Sequence, residues 1–295
     1  MGISSAAFSQ QVSRRSFLIG ALYGAGGLAL YAGAVERHWL EVVHRDIGIY
    51  RLPPDFDGLK VAQLSDIHLD EFTEPFLLRE AIDEINRARP DVVLLTGDYV
   101  SSEVLPHRFT VEAAWQCGEL LGQLECKQRY AIFGNHDIWA GEHHVGDALQ
   151  FNGITILRNS CLPLERGAGR IWLAGLDDPV CGQPDANLAI PPSIRNIAAE
   201  PILLMCHAPD YVDELQKHPG GQAVSLVFSG HTHGGQICLP FVGPLRLPPL
   251  GRKYVEGLFQ LGKTQLYVNR GIGSVGVPFR FYCRPEITVF TLHSI

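Results

Sequence analysis

No Cys-x-x-Cys pair occurs in the 295 residues, although seven cysteines are present, at 117, 126, 161, 181, 206, 238 and 283. That absence removes thiolate zinc ribbons and dithiol redox motifs. An odd number of cysteines reads as buried free thiols, with a Cys117–Cys126 pairing left open. Positive charge is also scarce. Lys and Arg number 24 against 31 Asp and Glu, a formal charge of −7. Such a chain has no general basic surface for nucleic acid, and no nucleic-acid partner is expected. Bound cations stand outside that sum, so a local positive site remains open. Internal repeats, low-complexity tracts and any domain boundary after residue 57 are lacking as well. With 46% hydrophobic and 19% charged residues, the composition is that of a folded protein.

The first 35 residues stand apart. Ser13-Arg14-Arg15-Ser16-Phe17-Leu18 precedes an apolar run over 17–35 that carries glycines at 20, 24, 26, 27 and 33. Ala32-Gly33-Ala34 fits a small-x-small cleavage pattern. Paired arginines before a weakly hydrophobic core resemble a twin-arginine (Tat) export signal. The run is also about long enough to cross a bilayer, so a cleaved signal and an uncleaved anchor are both open. Export by the Tat machinery implies the periplasm, the cell envelope or a membrane-anchored protein. Residues 1–35 thus read as signal or anchor, 36–57 as a lead-in and 58–295 as the folded domain. About 255–260 residues remain for it, enough for one large α/β unit.

Within that domain, residues 59–65 predict a strand ending in Asp66-Ile67-His68. Phe76, Leu77, Ala81, Ile82 and Ile85 recur at helical spacing after Pro75, and Pro90 stops them. Residues 92–95 predict a strand ending in Gly97-Asp98, followed by a helix over 109–124. Residues 130–133 predict a strand ending in Gly134-Asn135-His136-Asp137. A helix near 145–151 and strands at 154–157 and 170–174 follow. The stretch 177–192, rich in Pro, Asp and Gly, predicts a surface loop. Residues 202–206 predict a strand ending in His207. Residues 224–228 predict another, ending in Gly230-His231-Thr232-His233-Gly234-Gly235. Strands at 265–268 and 287–292 close the chain. Strands alternating with helices predict a layered α/β architecture.

Five strand ends carry polar clusters of one type: Asp66 and His68, Asp98, Asn135 and His136, His207, and His231 with His233. Sites gather beyond the carboxyl ends of strands in α/β sheets, so these groups can converge. In extended backbone His231 and His233 point the same way. The donors are nitrogen and oxygen, which suits Mn, Fe or Zn rather than a structural zinc. Two Asp, one Asn and four His are too many for one ion and suit two. Two ions about 3.5–4 Å apart can share a carboxylate and a hydroxide, and the residual positive charge favours phosphate. Each cluster alone also has a plainer reading: solvated turn histidines, Asp66 or Asp137 as turn residues, His207 as a core histidine. Asp70 and Glu71 read as a solvated face.

Taken in order, D-x-H, GD, GNHD, H and GHTH resemble the calcineurin-like metallophosphoesterase signature. The resemblance implies an α/β fold, a four-layer αββα sandwich of two mixed sheets flanked by helices. It implies that Asp66, His68 and His233 hold one divalent ion and Asn135, His207 and His231 a second, with Asp98 bridging. The metal implied is Mn, with Fe or Zn as alternatives. His136 is implied to lie over the substrate, protonating the leaving oxygen or stabilising the phosphorane, with Asp137 orienting its ring. Asn135, His136 and Arg270 are the implied substrate contacts. Arg270, in a Gly-rich turn, reads either as a phosphate contact or as a salt-bridge partner. The implied reaction is hydrolysis of a phosphodiester or pyrophosphate by a metal-bridging hydroxide. A phosphomonoesterase, a nuclease or a non-catalytic metal-binding scaffold of the same fold are the alternatives.

The tail, from Lys253-Tyr254-Val255-Glu256-Gly257 through Asn269-Arg270-Gly271 to Cys283-Arg284-Pro285-Glu286, resembles exported or membrane-associated bacterial phosphodiesterases. Part of that branch is similar to enzymes that cut the pyrophosphate of UDP-2,3-diacylglucosamine, which implies a small-molecule, nucleotide-sugar or lipid-linked substrate and membrane association. Those enzymes work on the cytoplasmic membrane face, opposite to an exported one. Loops 69–75, 138–146, 177–192 and 239–253 are expected to shape the pocket. The apolar stretch 239–245 reads as the border of a lipid-facing pocket or as core.

Overall fold

A computed structural model of the chain describes residues 13–69, 73–101, 107–197 and 200–295. Asp70 and Glu71 lie outside them. Helix α1 (Arg14–Leu30) begins at Ser13, whose hydroxyl accepts from the Ser16 N–H. None of its residues is buried. The apolar helical stretch Arg14–His38 is long enough to cross a bilayer.

The elements then run β1 (Glu41–Ile49), β2 (Leu59–Leu64), α2 (Pro75–Ala88), β3 (Val92–Leu95), α3 (His107–Leu121), β4 (Arg129–Ala131), α4 (Asn135–Phe151) and β5 (Thr155–Ile156). Strands β6 (Ser160–Arg166), β7 (Gly169–Gly175), β8 (Ile202–Met205) and β9 (Val224–Ser229) follow. A small hairpin, β10 (Cys238–Leu239) and β11 (Gly243–Pro244), leads to β12 (Gly257–Leu261), β13 (Thr264–Val268) and β14 (Glu286–Ser294).

Two six-stranded mixed sheets result, in the orders β1-β14-β2-β3-β4-β5 and β12-β13-β9-β8-β7-β6. Alternation explains how they stack. Successive side chains of a strand face opposite sides. In β8, Leu203 and Met205 enter the core between the sheets, while Ile202 and Leu204 face the outer layer. In β2, Leu59 and Val61 point inward and Ala62 and Leu64 outward. Strands buried on both faces read as unbroken apolar runs, as here. Helices α2, α3 and α4 cover the first sheet, and short helical turns at 186–189, 192–195 and 212–215 cover the second. The αββα sandwich is therefore present.

Helix α2 starts with Pro75, whose missing N–H costs nothing at a first helical position, and ends at Arg89 in the left-handed region. It buries Leu77, Leu78, Ala81, Ile82 and Ile85. At about 1.5–3 kcal/mol for each large side chain, that stripe holds the helix down. Phe76 departs from the expected stripe: it is exposed and lies against the His38 ring.

Several expectations need correction. The lead-in contains β1, which pairs in parallel with β14 over its whole length. Its exposed polar run His44-Arg45-Asp46 hid it. Strands β6 and β12 are edge strands with little apolar patterning. Helix α4 begins at Asn135, ten residues before the expected helix, and kinks at Gly141. The boundary after residue 35 is blurred, because Ala32 is buried and its carbonyl accepts from the Arg280 N–H. Asp177 and Asp178, placed in a surface loop, are buried. The cysteines follow the expected reading as free thiols, Cys117 and Cys126 included.

Candidate metal centre

The carboxyl ends of β2, β3, β4, β8 and β9 point to one end of the sandwich, and the chain between them is stitched together by main-chain bonds. The Asp66 N–H donates to Gly97 O, His68 N–H to Asp98 O, and Gly230 N–H to His207 O. Tight turns at the strand ends force unusual backbone. Asp66, His68, Asp98, His231 and His233 all have φ between +47° and +71°. Non-glycine residues seldom adopt this region, and each costs of order 1–3 kcal/mol. Five such residues at one site mark a place where ligand geometry outranks local stability.

Six of the seven expected ligands, Asp66, His68, Asp98, His207, His231 and His233, gather there, and Asn135 is buried next in the chain to His136. His68 Nε2 lies 3.4 Å and His207 Nε2 3.1 Å from the same oxygen, Asp98 Oδ2. His233 Nε2 lies 3.5 Å from Asp66 Oδ1 and 3.1 Å from His68 Nε2. Asp66–His68–His233, His68–Asp98–His136 and Asp98–His207–His231 are three buried groups, each compact enough to surround one ion, and the first and the last share no residue. Asp98 stands between them.

The rings are oriented by their other nitrogens, which is how ligand histidines are held. His207 Nδ1 sits 2.7 Å from Thr96 O and His231 Nε2 2.7 Å from Pro249 O. His68 Nδ1 sits 3.1 Å from Ser101 Oγ. The backbone N–H of His231 donates to both oxygens of Asp66. Asn135 Oδ1 is buried and lacks a hydrogen bond. An unsatisfied buried polar atom is costly, so it points to a missing electropositive partner. Buried nitrogen and oxygen donors with such an orphaned lone pair fit divalent cations.

Burial raises the Asp98 carboxyl, but His207 and His136 beside it hold it well below its ordinary value; against burial, Asp98 in turn holds the His207 ring well above its own. Burial, with His68 and then Arg280, keeps the His233 ring neutral, as a ligand requires.

His136 is set at the edge of this centre. Its backbone N–H donates to Asp98 Oδ1 at 2.8 Å, and its ring lies edge-on between those of His68 and Trp139. Burial pushes its pKa down to about 4. The ring is therefore neutral near pH 7 and can offer an N–H hydrogen bond rather than a full positive charge. Asp137 has a main-chain task. Its Oδ2 accepts from Asp98 N–H and Gly134 N–H, and its Oδ1 from Tyr99 N–H, each at 2.8 Å. It ties the end of β3 to the start of α4 and so places His136 through the backbone.

Glycine is required at two points by close approach. A Cβ on Gly134 would lie 2.2 Å from Asp98 Oδ1, and one on Gly230 2.0 Å from Ser65 Oγ. Backbone with no side chain lets the motifs interlock.

Arg270 is corrected. Its guanidinium is engaged by Glu286, by Glu41 at 2.9 Å and by Glu256 at 3.7 Å, so it is an ion-pair partner rather than a phosphate contact. Three residues were missed. Asp178, beyond the end of β7, is buried, with Oδ2 accepting from Val180 and Cys181 N–H and Oδ1 unpartnered. Burial raises its pKa to about 6, with His207 opposing. The Asp-Asp-Pro after an apolar run was the available signal. Arg280 is fully buried and donates to Gly273, Arg270 and Gly271 carbonyls; nothing local in the sequence foretells this. Asn159 Oδ1 accepts from Asp177 and Asp185 N–H, shaping the 177–185 loop. That loop and the start of α4 line a cavity of about 820 Å³, with Ile138, Glu142, Arg158, Cys181 and Leu188 in its wall.

The calcineurin-like phosphoesterase family model matches residues 59–235, more than half of the chain. The chain is 36% identical over 297 residues to the uncharacterized metallophosphoesterase YkuE of Bacillus subtilis, covering 97% of this chain and 99% of that one. It is 31% identical over 288 residues to the phosphodiesterase YaeI of Escherichia coli, covering 95% and 99%. It is 32% identical over 276 residues to a transmembrane protein with metallophosphoesterase domain of Danio rerio, covering 90% of this chain and 60% of that one. By that match and these relatives, the chain belongs to the calcineurin-like phosphoesterases.

Proposed function

We propose that the protein is a metal-dependent hydrolase of phosphodiester or pyrophosphate bonds, acting with two divalent ions, Mn foremost. The observation that carries this reading is the shared oxygen of Asp98, within 3.4 Å of His68 on one side and 3.1 Å of His207 on the other. Asp66, His68 and His233 would hold one ion, and Asn135, His207 and His231 the other. Bound there, the ions supply an activated water and positive charge for the phosphoryl oxygens. The chain supplies the rest. Asp98 joins the two halves, Asp137 fixes the turn, and the neutral His136 ring offers its N–H to the oxygen that leaves. Burial of every donor excludes bulk water and strengthens each interaction.

The same reading covers substrate and location. The hairpin 239–245 exposes Phe241, Val242, Leu239 and Leu245 beside the centre, where a Cβ on Gly235 would meet Pro244 at 2.4 Å. Such a tip suits a lipid-linked or nucleotide-sugar phosphoester. Tyr31 packs edge-on against Phe281, and the Arg280 N–H donates to Ala32 O. Residues at the end of α1 are thus part of the domain surface, which favours an uncleaved, Tat-exported membrane anchor over a signal that is removed.

Removing metal with a chelator is expected to abolish hydrolysis of bis(p-nitrophenyl) phosphate, and added Mn to restore it. Turnover that ignores the chelator sinks the reading. A panel of monoesters, cyclic nucleotides, glycerophosphodiesters and nucleotide-sugar lipids then separates substrate classes.

A further inference from the structure

We propose that Cys238 and Cys283 are a disulfide site, closing under oxidising conditions to clip the turn that carries His231 and His233 to the segment before β14. This inference stands apart from the choice of substrate.

Main-chain pairing brings the two cysteines together. Ile237 and Phe281 form an isolated parallel bridge, the Phe281 N–H donates to Gln236 O, and the Cys238 N–H donates to Phe281 O at 2.8 Å. The sulfurs rest on consecutive carbonyls of the metal-site turn. Cys283 Sγ donates to His233 O at 3.0 Å and Cys238 Sγ to Gly234 O at 3.2 Å. The surface they share is built of glycine. A Cβ on Gly234 would lie 2.8 Å from Cys283 Sγ, and one on Gly235 3.3 Å from Cys238 Sγ. Both are free here. Three of the other five cysteines have different surroundings: Cys126 donates to Asp91 and Gln128 carbonyls, Cys206 to Ala208 O, and Cys117 is enclosed by the core.

Access sets the order of events. Cys238 is half-buried and Cys283 is buried, so an oxidising disulfide reaches Cys238 first. The Cys238 thiolate attacks a sulfur of oxidised glutathione, forming a mixed disulfide and releasing one glutathione. The Cys283 thiolate then attacks the Cys238 sulfur and expels the second. Two cysteines lose two electrons and two protons, and one glutathione disulfide becomes two thiols. The bond that forms is about 2 Å long and replaces the two Sγ–carbonyl contacts.

The test uses the full chain, incubated with oxidised glutathione or with dithiothreitol, alkylated without reduction, digested and weighed. The expected result is a linked peptide pair containing Cys238 and Cys283, two hydrogens lighter than the separate peptides, in the oxidised sample only. The oxidised protein should melt several degrees above the reduced one, and Cys238→Ser should remove that difference. The proposal is overturned if both cysteines stay alkylatable, if either stops as a glutathione adduct or pairs elsewhere, or if the linked protein melts with the reduced one.

Discussion

Asp98 spends both of its oxygens on the site. Oδ2 faces His68 and His207, and Oδ1 accepts the His136 N–H. Replacing it with alanine is expected to drop bound metal from two ions to one or none, with turnover falling at least about 1,000-fold; elemental analysis beside kcat checks this, and retained stoichiometry would remove the bridge. His136→Ala is the contrast, since that ring sits beside the ligands. Metal content should hold while kcat falls by about 100- to 10,000-fold, the range of a lost acid–base or hydrogen-bonding group. Asp178 makes a pH prediction. Burial raises its folded pKa to about 6 from 3.8. The folded state then holds the proton more tightly than the unfolded state does. Stability from this group is full below the unfolded pKa and is lost as pH rises through the folded one. Two units correspond to about 3 kcal/mol. In chelator-treated protein, Asp178→Asn should therefore gain stability over wild type at pH 7 and much less near pH 4, as read by urea unfolding. An equal gain at both values would mean that the carboxyl is already ionised when folded.

Among elements, strand ends carry the chemistry. β2, β3, β8 and β9 are runs of four to six residues with almost nothing exposed, so their positions were plain in the sequence, and so were the motifs that follow them. The left-handed φ of five motif residues was not, because it arises from the bonds that sew one strand end to the next. Gly134 shows the demand. A Cβ there would meet Asp98 at 2.2 Å and 2.7 Å, the latter at a main-chain nitrogen that cannot step aside. Gly134→Ala is expected to keep its far-UV circular dichroism yet lose about 100-fold or more in turnover, because a shift near 1 Å at a reacting centre costs that much. Near-normal kinetics would show that the α4 turn has slack. Edge strands were the opposite case. β1, β6 and β12 are half-solvated, and their apolar signal is diluted by the polar residues that protect an edge.

For the whole molecule, β1 matters most. It pairs with β14 from Glu41↔Glu286 to Ile49↔Ser294, and Ile47, Ile49, Leu52 and Phe56 fill the core between the sheets. Four such side chains are worth about 6–12 kcal/mol, comparable to the whole stability of a domain. A chain begun at residue 58 is expected to be insoluble or to melt without cooperativity, whereas one begun at residue 36 folds. Equal melting temperatures for the two would make β1 dispensable. The amino-acid sequence by itself determined the buried strands, the order of the five motifs and the donor types, because each depends on residues adjacent in the chain. The tertiary structure alone decided that one oxygen of Asp98 faces both His68 and His207, that Asp137 binds backbone, that Arg270 is consumed by carboxylates, and that Arg280 and Cys283 lie beneath the histidine turn. Those outcomes depend on which strand ends become neighbours, a matter of sheet order and packing that local spacing does not encode.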